Sequence, residues 1–400
     1  MSGFPLQRAA VLLLACLAAS SLLLSCGPKA IKPFGEMDTP EHHVFTGMKQ
    51  IDQEQYAAAQ VSFERAVALA PRFARAYGGL ALARAYSNDF NSAFDLLDKA
   101  REYARTNEET VFVHIGAIRV HTLSKAACKL IGTDCGQDSA WLDKTKDEFQ
   151  NAVALAPRSA EAYYYMGLAY KNALRLPPAE QMFAKVLDLG GPLTKAADNE
   201  WKLVQEIQRA MPGTVTGRKI ALVEKISRAD TAALFMEELR IDILYKKRTP
   251  KAFDTSFKDL DRVKISPAET RRMATDIEGH PLKADIEGIL QIGVRGLEVQ
   301  PDGRFLPGEP VSRAAYALMI EDILIRLTGD TSMATRYIGG VSPFPDVRSD
   351  LPYFNAVMVA TSRGLMQVRG VASGEFAPLG GVSGVEALLT LKKLKEELKL

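Results

Sequence analysis

Apolar and small residues run unbroken from Ala9 to Leu24, with Arg8 the only charge ahead of them. This is the make-up of a secretory leader over 1–25, its apolar stretch too short for a comfortable bilayer span. From Gly27 to Pro40 the pattern vanishes: Pro28, Pro33, Gly35 and Pro40 punctuate a segment that reads as a flexible tether over 26–40. Beyond it, small and large apolar positions return at helical spacing, in two regions with different recurrences.

In the first region the recurrence is about 34 residues. Gly47, Ala81, Gly116 and Gly167 hold one small position, and Ala59, Ala93, Thr145 and Ala179 a second. Phe63, Leu97, Phe149 and Phe183 hold a large apolar position, followed by Ala66, Ala100, Ala152 and Val186. Pro71 and Pro157 close two of the units, because proline cannot continue a helix. Small residues let paired antiparallel helices approach, and the Phe or Leu fills the space between neighbouring pairs. Spacing and residue size together resemble the tetratricopeptide repeat, over 41–193. The third unit departs from it, with an insertion of about 17 residues between Thr122 and Trp141. The resemblance implies a helical solenoid whose concave face takes a peptide or partner protein. By repeat register Arg75, Tyr86, Tyr164, Lys171 and Asn172 point toward that face, although packing between helices explains the tyrosines equally well. His114 and His121, seven apart, read as ordinary surface or core residues.

The second region repeats differently. ISRADTAALFMEEL, VSRAAYALMIEDIL and VSGVEALLTLKKL begin at Ile226, Val311 and Val382, each predicting an amphipathic helix. Ile220, Phe305 and Phe376 stand six residues ahead, and Pro307 and Pro378 follow the phenylalanines. Ser227 with Asp230 and Ser383 with Glu386 have the form of a capping box, while Ser312 supplies a cap alone. Arg228 and Arg313 fall at the first helical position, where a cation opposes the helix dipole at a cost of roughly a few tenths of a kcal/mol. Either an acidic ligand converges with them on the free N–H groups, or each packs over a neighbouring loop. Both readings stay open here.

These motifs resemble the S-layer homology domain, over 195–397. Phe344-Pro345-Asp346 matches its F-x-D segment, of which the second unit keeps Asp276. Phe305-Leu306-Pro307 and Phe376-Ala377-Pro378 match F-x-P, and Ser227-Arg228-Ala229-Asp230 and Ser312-Arg313-Ala314-Ala315 match T-R-A-E loosely. The resemblance implies an all-helical bundle of three units that binds anionic wall glycan or peptidoglycan. Carried over, Arg228 and Arg313 are the anion-binding candidates, Asp276 and Asp346 orient them, and Tyr353 replaces a tryptophan. Gly384 stands where the third arginine belongs, so one of three pockets is expected to be dead. The fold expected overall is mostly α, a helical solenoid followed by this bundle.

Composition narrows the chemistry. The net charge of +2 falls to about +1 without Arg8, which does not fit a nucleic-acid binder. The leader ends Leu23-Leu24-Ser25-Cys26, resembling the bacterial lipobox, in which the cysteine is acylated and each buried methylene contributes roughly 0.8 kcal/mol. Gly27, rather than Asp, then favours an outer-membrane, periplasm-facing address. Of four cysteines, Cys16 leaves with the leader; Cys128 and Cys135 either pair in an oxidising compartment or stay free, and lack the further ligands a metal needs. No nucleophile–base pairing or phosphate-cradling loop is evident, so neither an enzyme nor a cofactor is expected. The leading expectation is an envelope lipoprotein scaffold. The alternative is an assembly or export accessory whose second module contacts protein.

Overall fold

The structure, a computed structural model, describes residues 30–131, 140–248, 274–370 and 372–400. Cys26 and Cys135 lie outside these residues, as does the side chain of Cys128, so the lipid site and the disulfide candidate fall beyond description. The described part is mostly α, and among the described residues the only β pairing consists of two isolated bridges, Ser227 with Pro310 and Ser312 with Gly381. The chain divides into two compact units between Trp201 and Lys202.

The first unit is a helical solenoid of antiparallel pairs: α1 (Pro40–Asp52) with α2 (Tyr56–Leu69), α3 (Ala74–Tyr86) with α4 (Phe90–Tyr103), α5 (Asn107–Ile131) with α6 (Ala140–Leu155), and α7 (Ala160–Asn172) with α8 (Leu176–Leu189). Helix α9 (Thr194–Ala210) follows. The first helices of successive pairs, α1, α3, α5 and α7, also touch one another and form an inner layer. The small–large periodicity explains the spacing. A Cβ at Gly47 would lie 2.6 Å from the Phe63 ring, and one at Gly167 the same distance from Phe183. Both rings are fully buried, a burial that contributes roughly 1.5–3 kcal/mol each. Gly79, outside the repeat positions read from sequence, presses on Phe63 as well. The insertion in the third pair lengthens α5, which runs for 25 residues.

The second unit contains α10 (Val215–Ile220), α11 (Arg228–Ala233), α12 (Ile241–Arg248), α13 (Lys283–Ile292), α14 (Arg313–Thr328), α15 (Phe354–Ser362) and α16 (Gly384–Glu397). Helix α11 is shorter than its periodicity predicts, because it widens into a π turn over Leu234–Glu238. Glu238 in that turn accepts from the N–H groups of Gly213 and Thr214, at 3.1 and 2.8 Å, and so anchors the entry to α10.

Within this unit three repeats close on themselves through the residues that open the three repeated strings. The Ile226 N–H donates to the Val382 carbonyl at 2.8 Å, Val382 to Val311 at 3.1 Å, and Val311 to Ile226 at 2.9 Å. All three residues are buried. Each helix start then docks on the loop of another repeat: Arg228 N–H on Glu309 O (2.9 Å), Arg313 N–H on Gly380 O (2.8 Å), Gly384 N–H on Val223 O (2.8 Å). Helix N-terminal N–H groups lack intrahelical partners, and here the neighbouring repeat supplies them.

Candidate functional site

The arginines and aspartates singled out in the sequence act in pairs on the F-x-P turns. Ser227 caps α11 in a complete capping box with Asp230, and Ser312 caps α14, which places Arg228 and Arg313 at the first helical position. The Arg228 guanidinium reaches over to the next repeat of the same unit. It donates to the carbonyls of Phe305 (2.8 Å), Gly296 (2.6 Å) and Glu298 (2.8 Å), and lies 4.7 Å above the Phe305 ring. Arg313 does the same one repeat on, donating to Phe376 O at 2.7 Å and to Gln367 O, pairing with Glu386, and lying 4.5 Å above the Phe376 ring.

Each guanidinium thus lies over a neighbouring loop, the second of the two arrangements that the sequence left open. Arg313 is 1% exposed and Arg228 7%. Three carbonyls with the Glu309 carboxylate at 3.9 Å around Arg228, and two carbonyls with the Glu386 carboxylate around Arg313, supply the negative counterpart that the sequence left unassigned. Burial, then the nearby Arg369 charge, pulls Arg313 down to about 10, so it remains cationic at neutral pH. Glu386 is drawn out of the capping box expected with Ser383: Ser383 accepts from the Glu386 N–H at 3.2 Å, but the carboxylate turns to Arg313.

The aspartates hold the same turns from the other side. Asp276 accepts from the N–H groups of Phe305 (2.7 Å) and Leu306 (2.8 Å), and Asp346 from those of Phe376 (3.0 Å) and Ala377. Leu306 and Ala377 have φ of 59° and 57°, a left-handed conformation that non-glycine residues seldom adopt, and the paired N–H donations to the aspartate carboxylates offset its strain. Burial opposes the charge on Asp276, but the two backbone donors prevail and hold its carboxyl below the ordinary range. The four residues thus form two separate bolted turns and not one pocket. Tyr353 stands apart at the start of α15, partly exposed, its carbonyl accepting from Val357 N–H at 3.0 Å.

Gly384 has a positive reason to be glycine. A Cβ there would overlap the Ile220 carbonyl, because this helix start seats directly against the Ile220–Ala221 backbone of the same unit. Position 384 has no room for an arginine.

Residues 343–388 match the S-layer homology domain. The S-layer homology domain supports a cell-envelope protein that binds wall components. The matched stretch contains Asp346, Tyr353, the Phe376 turn and Gly384, and Arg313 reaches that turn from the repeat before it. No curated protein matches the chain.

In the first unit the inner layer encloses a cleft of about 760 Å³, lined from all of α1, α3, α5 and α7 and by Pro192 and Leu193. Of the five groove candidates, Arg75 lines it and pairs with Glu108 at 2.9 Å. Tyr86 stacks on Tyr56 at 4.6 Å, Tyr164 packs against Tyr165 and Phe183, and Lys171 pairs with Glu200. Asn172 closes α7. These side chains are engaged within the unit. Sequence reading missed Arg119 and Tyr165, which line the cleft with the Arg119 guanidinium 4.4 Å above the Tyr165 ring. The available signal was an arginine inside the apolar run Ile115–Val120 of an inner helix.

Proposed function

We propose that this protein is a lipid-anchored envelope scaffold: acylated at Cys26, gripping wall polymer through its second unit and recruiting a protein through its first. The S-layer homology domain at residues 343–388 carries the reading. Arg228, Arg313, Asp276 and Asp346 act as positioning residues that fix the turns facing the polymer, and Tyr353 offers a partly exposed ring against a sugar face. The solenoid's inner layer is the surface for a protein partner, and two or three acyl chains on Cys26 hold the molecule to the outer membrane.

Co-sedimentation of the full chain with purified sacculi tests the wall-binding half. Sacculi are prepared with their anionic polymers intact or stripped by hydrofluoric acid. Pelleting with intact sacculi is expected, and loss after stripping assigns the polymer rather than peptidoglycan. A chain that stays in the supernatant with both preparations contradicts the reading and leaves a module that contacts protein, as in an assembly accessory. Mass spectrometry of the native protein tests the anchor: a diacylglyceryl thioether on Cys26 is expected, and a free thiol behind an intact leader contradicts it.

A further inference from the structure

Within the solenoid cleft, Arg119 differs from Arg228 and Arg313, the other deeply buried arginines among the described residues. It is 6% exposed, yet among the described residues its one side-chain hydrogen bond is a long one, 3.2 Å from Nη2 to the Tyr86 hydroxyl. Its Nε is buried with no acceptor among the described residues, and Asp52 acts on it through space without forming an ion pair. The Tyr165 and Tyr86 rings stack on it at 4.4 and 5.8 Å, but a buried guanidinium without an anionic partner remains costly. Arg75, on the same cleft, also carries a buried Nε without an acceptor among the described residues.

The surroundings say what would pair with it. Val44, Phe45, Leu82, Phe112 and Ile115 make the walls apolar, and Phe45 is 71% exposed on α1. Glu41, Asp52 and Glu161 also line the cleft, and they disfavour a multiply charged anion such as a phosphate monoester. A single carboxylate matches the planar fork of one guanidinium and adds only one negative charge. A cleft crossing four successive helices suits an extended chain rather than a compact solute.

We infer that this cleft binds a peptide segment of a partner protein that places one carboxylate, flanked by apolar side chains, on Arg119. The inference rests on the reading of the solenoid as a protein-binding surface.

The test is affinity selection by the full chain from a randomised seven-residue peptide library, synthesised as C-terminal acids and as C-terminal amides and read by mass spectrometry. Enriched peptides are expected to carry an acid beside apolar residues. Enrichment in both forms assigns a side-chain carboxylate, and enrichment of the acids alone assigns the chain terminus. Arg119→Met should weaken these peptides roughly tenfold to a hundredfold, while the variant melts no lower than wild type. Enrichment without acidic preference, or undiminished in Arg119→Met, overturns the inference and leaves the groove reading intact. A variant that unfolds shows a structural cation and likewise overturns it. If wild type enriches nothing beyond a Phe45→Asp control, the groove reading itself fails and the inference falls with it.

Discussion

Buried arginines occur in both units, and their surroundings differ in kind. In the second unit Arg228 and Arg313 are enclosed by acceptors that the chain itself supplies, each tying one helix start to the turn of the next repeat. In the first unit Arg119 is as deeply buried but holds one long bond to a phenol and leaves Nε unused. The chemical group is the same, and partner geometry separates the roles. A cation with internal acceptors is a bolt, whose removal orphans its partners. A cation without them is a group waiting for its counterpart.

The largest effect that sharpens this contrast comes from the one helix start that lacks the arginine. Gly384→Arg, which would restore the repeated motif, drives a side chain into the Ile220 backbone. A loss of about 4 kcal/mol is expected, in the range reserved for severe core disruption, and hydrogen-exchange mass spectrometry should show opening confined to the second unit. Retained protection at α16 would mean the three-repeat closure tolerates what its geometry forbids.

Next come the solenoid glycines, where space decides the sign. Gly167→Ala meets the Phe183 ring at 2.6 Å and should cost about 1–3 kcal/mol. Gly116→Ala, whose nearest neighbour is Leu97 at 3.7 Å, should be tolerated and gain up to about 1 kcal/mol from reduced backbone entropy. Denaturant titration of the two variants checks the split, and equal losses would refute the packing account of the repeat.

The smallest effect depends on pH. The Asp276 carboxyl is held below its ordinary value in the folded state, so its stabilisation is present above the unfolded value near 3.8 and fades as pH falls through the lower folded value. Asp276→Asn keeps one acceptor and loses the charge. A loss of about 1 kcal/mol at neutral pH is expected, shrinking below about pH 4, as thermal melts across pH 7 to 2 would show.

Much of this architecture was legible in the sequence. The positions of Gly47, Phe63, Gly167 and Phe183 carry the helix pairing because steric size is a local property that survives in the residue names. Ile226, Val311 and Val382 open the three strings and meet in one ring of backbone hydrogen bonds, so the recurrence marked the closure without revealing it. The site was less legible. Arg228 and Arg313 were visible as cations at helix starts, but the carbonyls that receive them lie 54 to 77 residues away. Main-chain acceptors leave no trace in residue identity. Arg119 was overlooked for the opposite reason: its significance is a missing partner, and only three-dimensional surroundings show that a partner is missing. The π turn after Ala233 likewise had no signature in the apolar spacing of the helix.

The same substitution made at both kinds of cation tests the contrast most directly. Arg313→Met and Arg119→Met have matched side-chain change, and thermal melting of each full-length variant beside wild type gives two shifts to compare. The account predicts opposite outcomes: a loss of about 3–5 kcal/mol at Arg313, where two carbonyls lose their donor and Glu386 keeps only Arg369 at 3.7 Å, and no loss, or a gain, at Arg119. Comparable destabilisation at both positions would contradict it, because Arg119 would then be a bolt like the others.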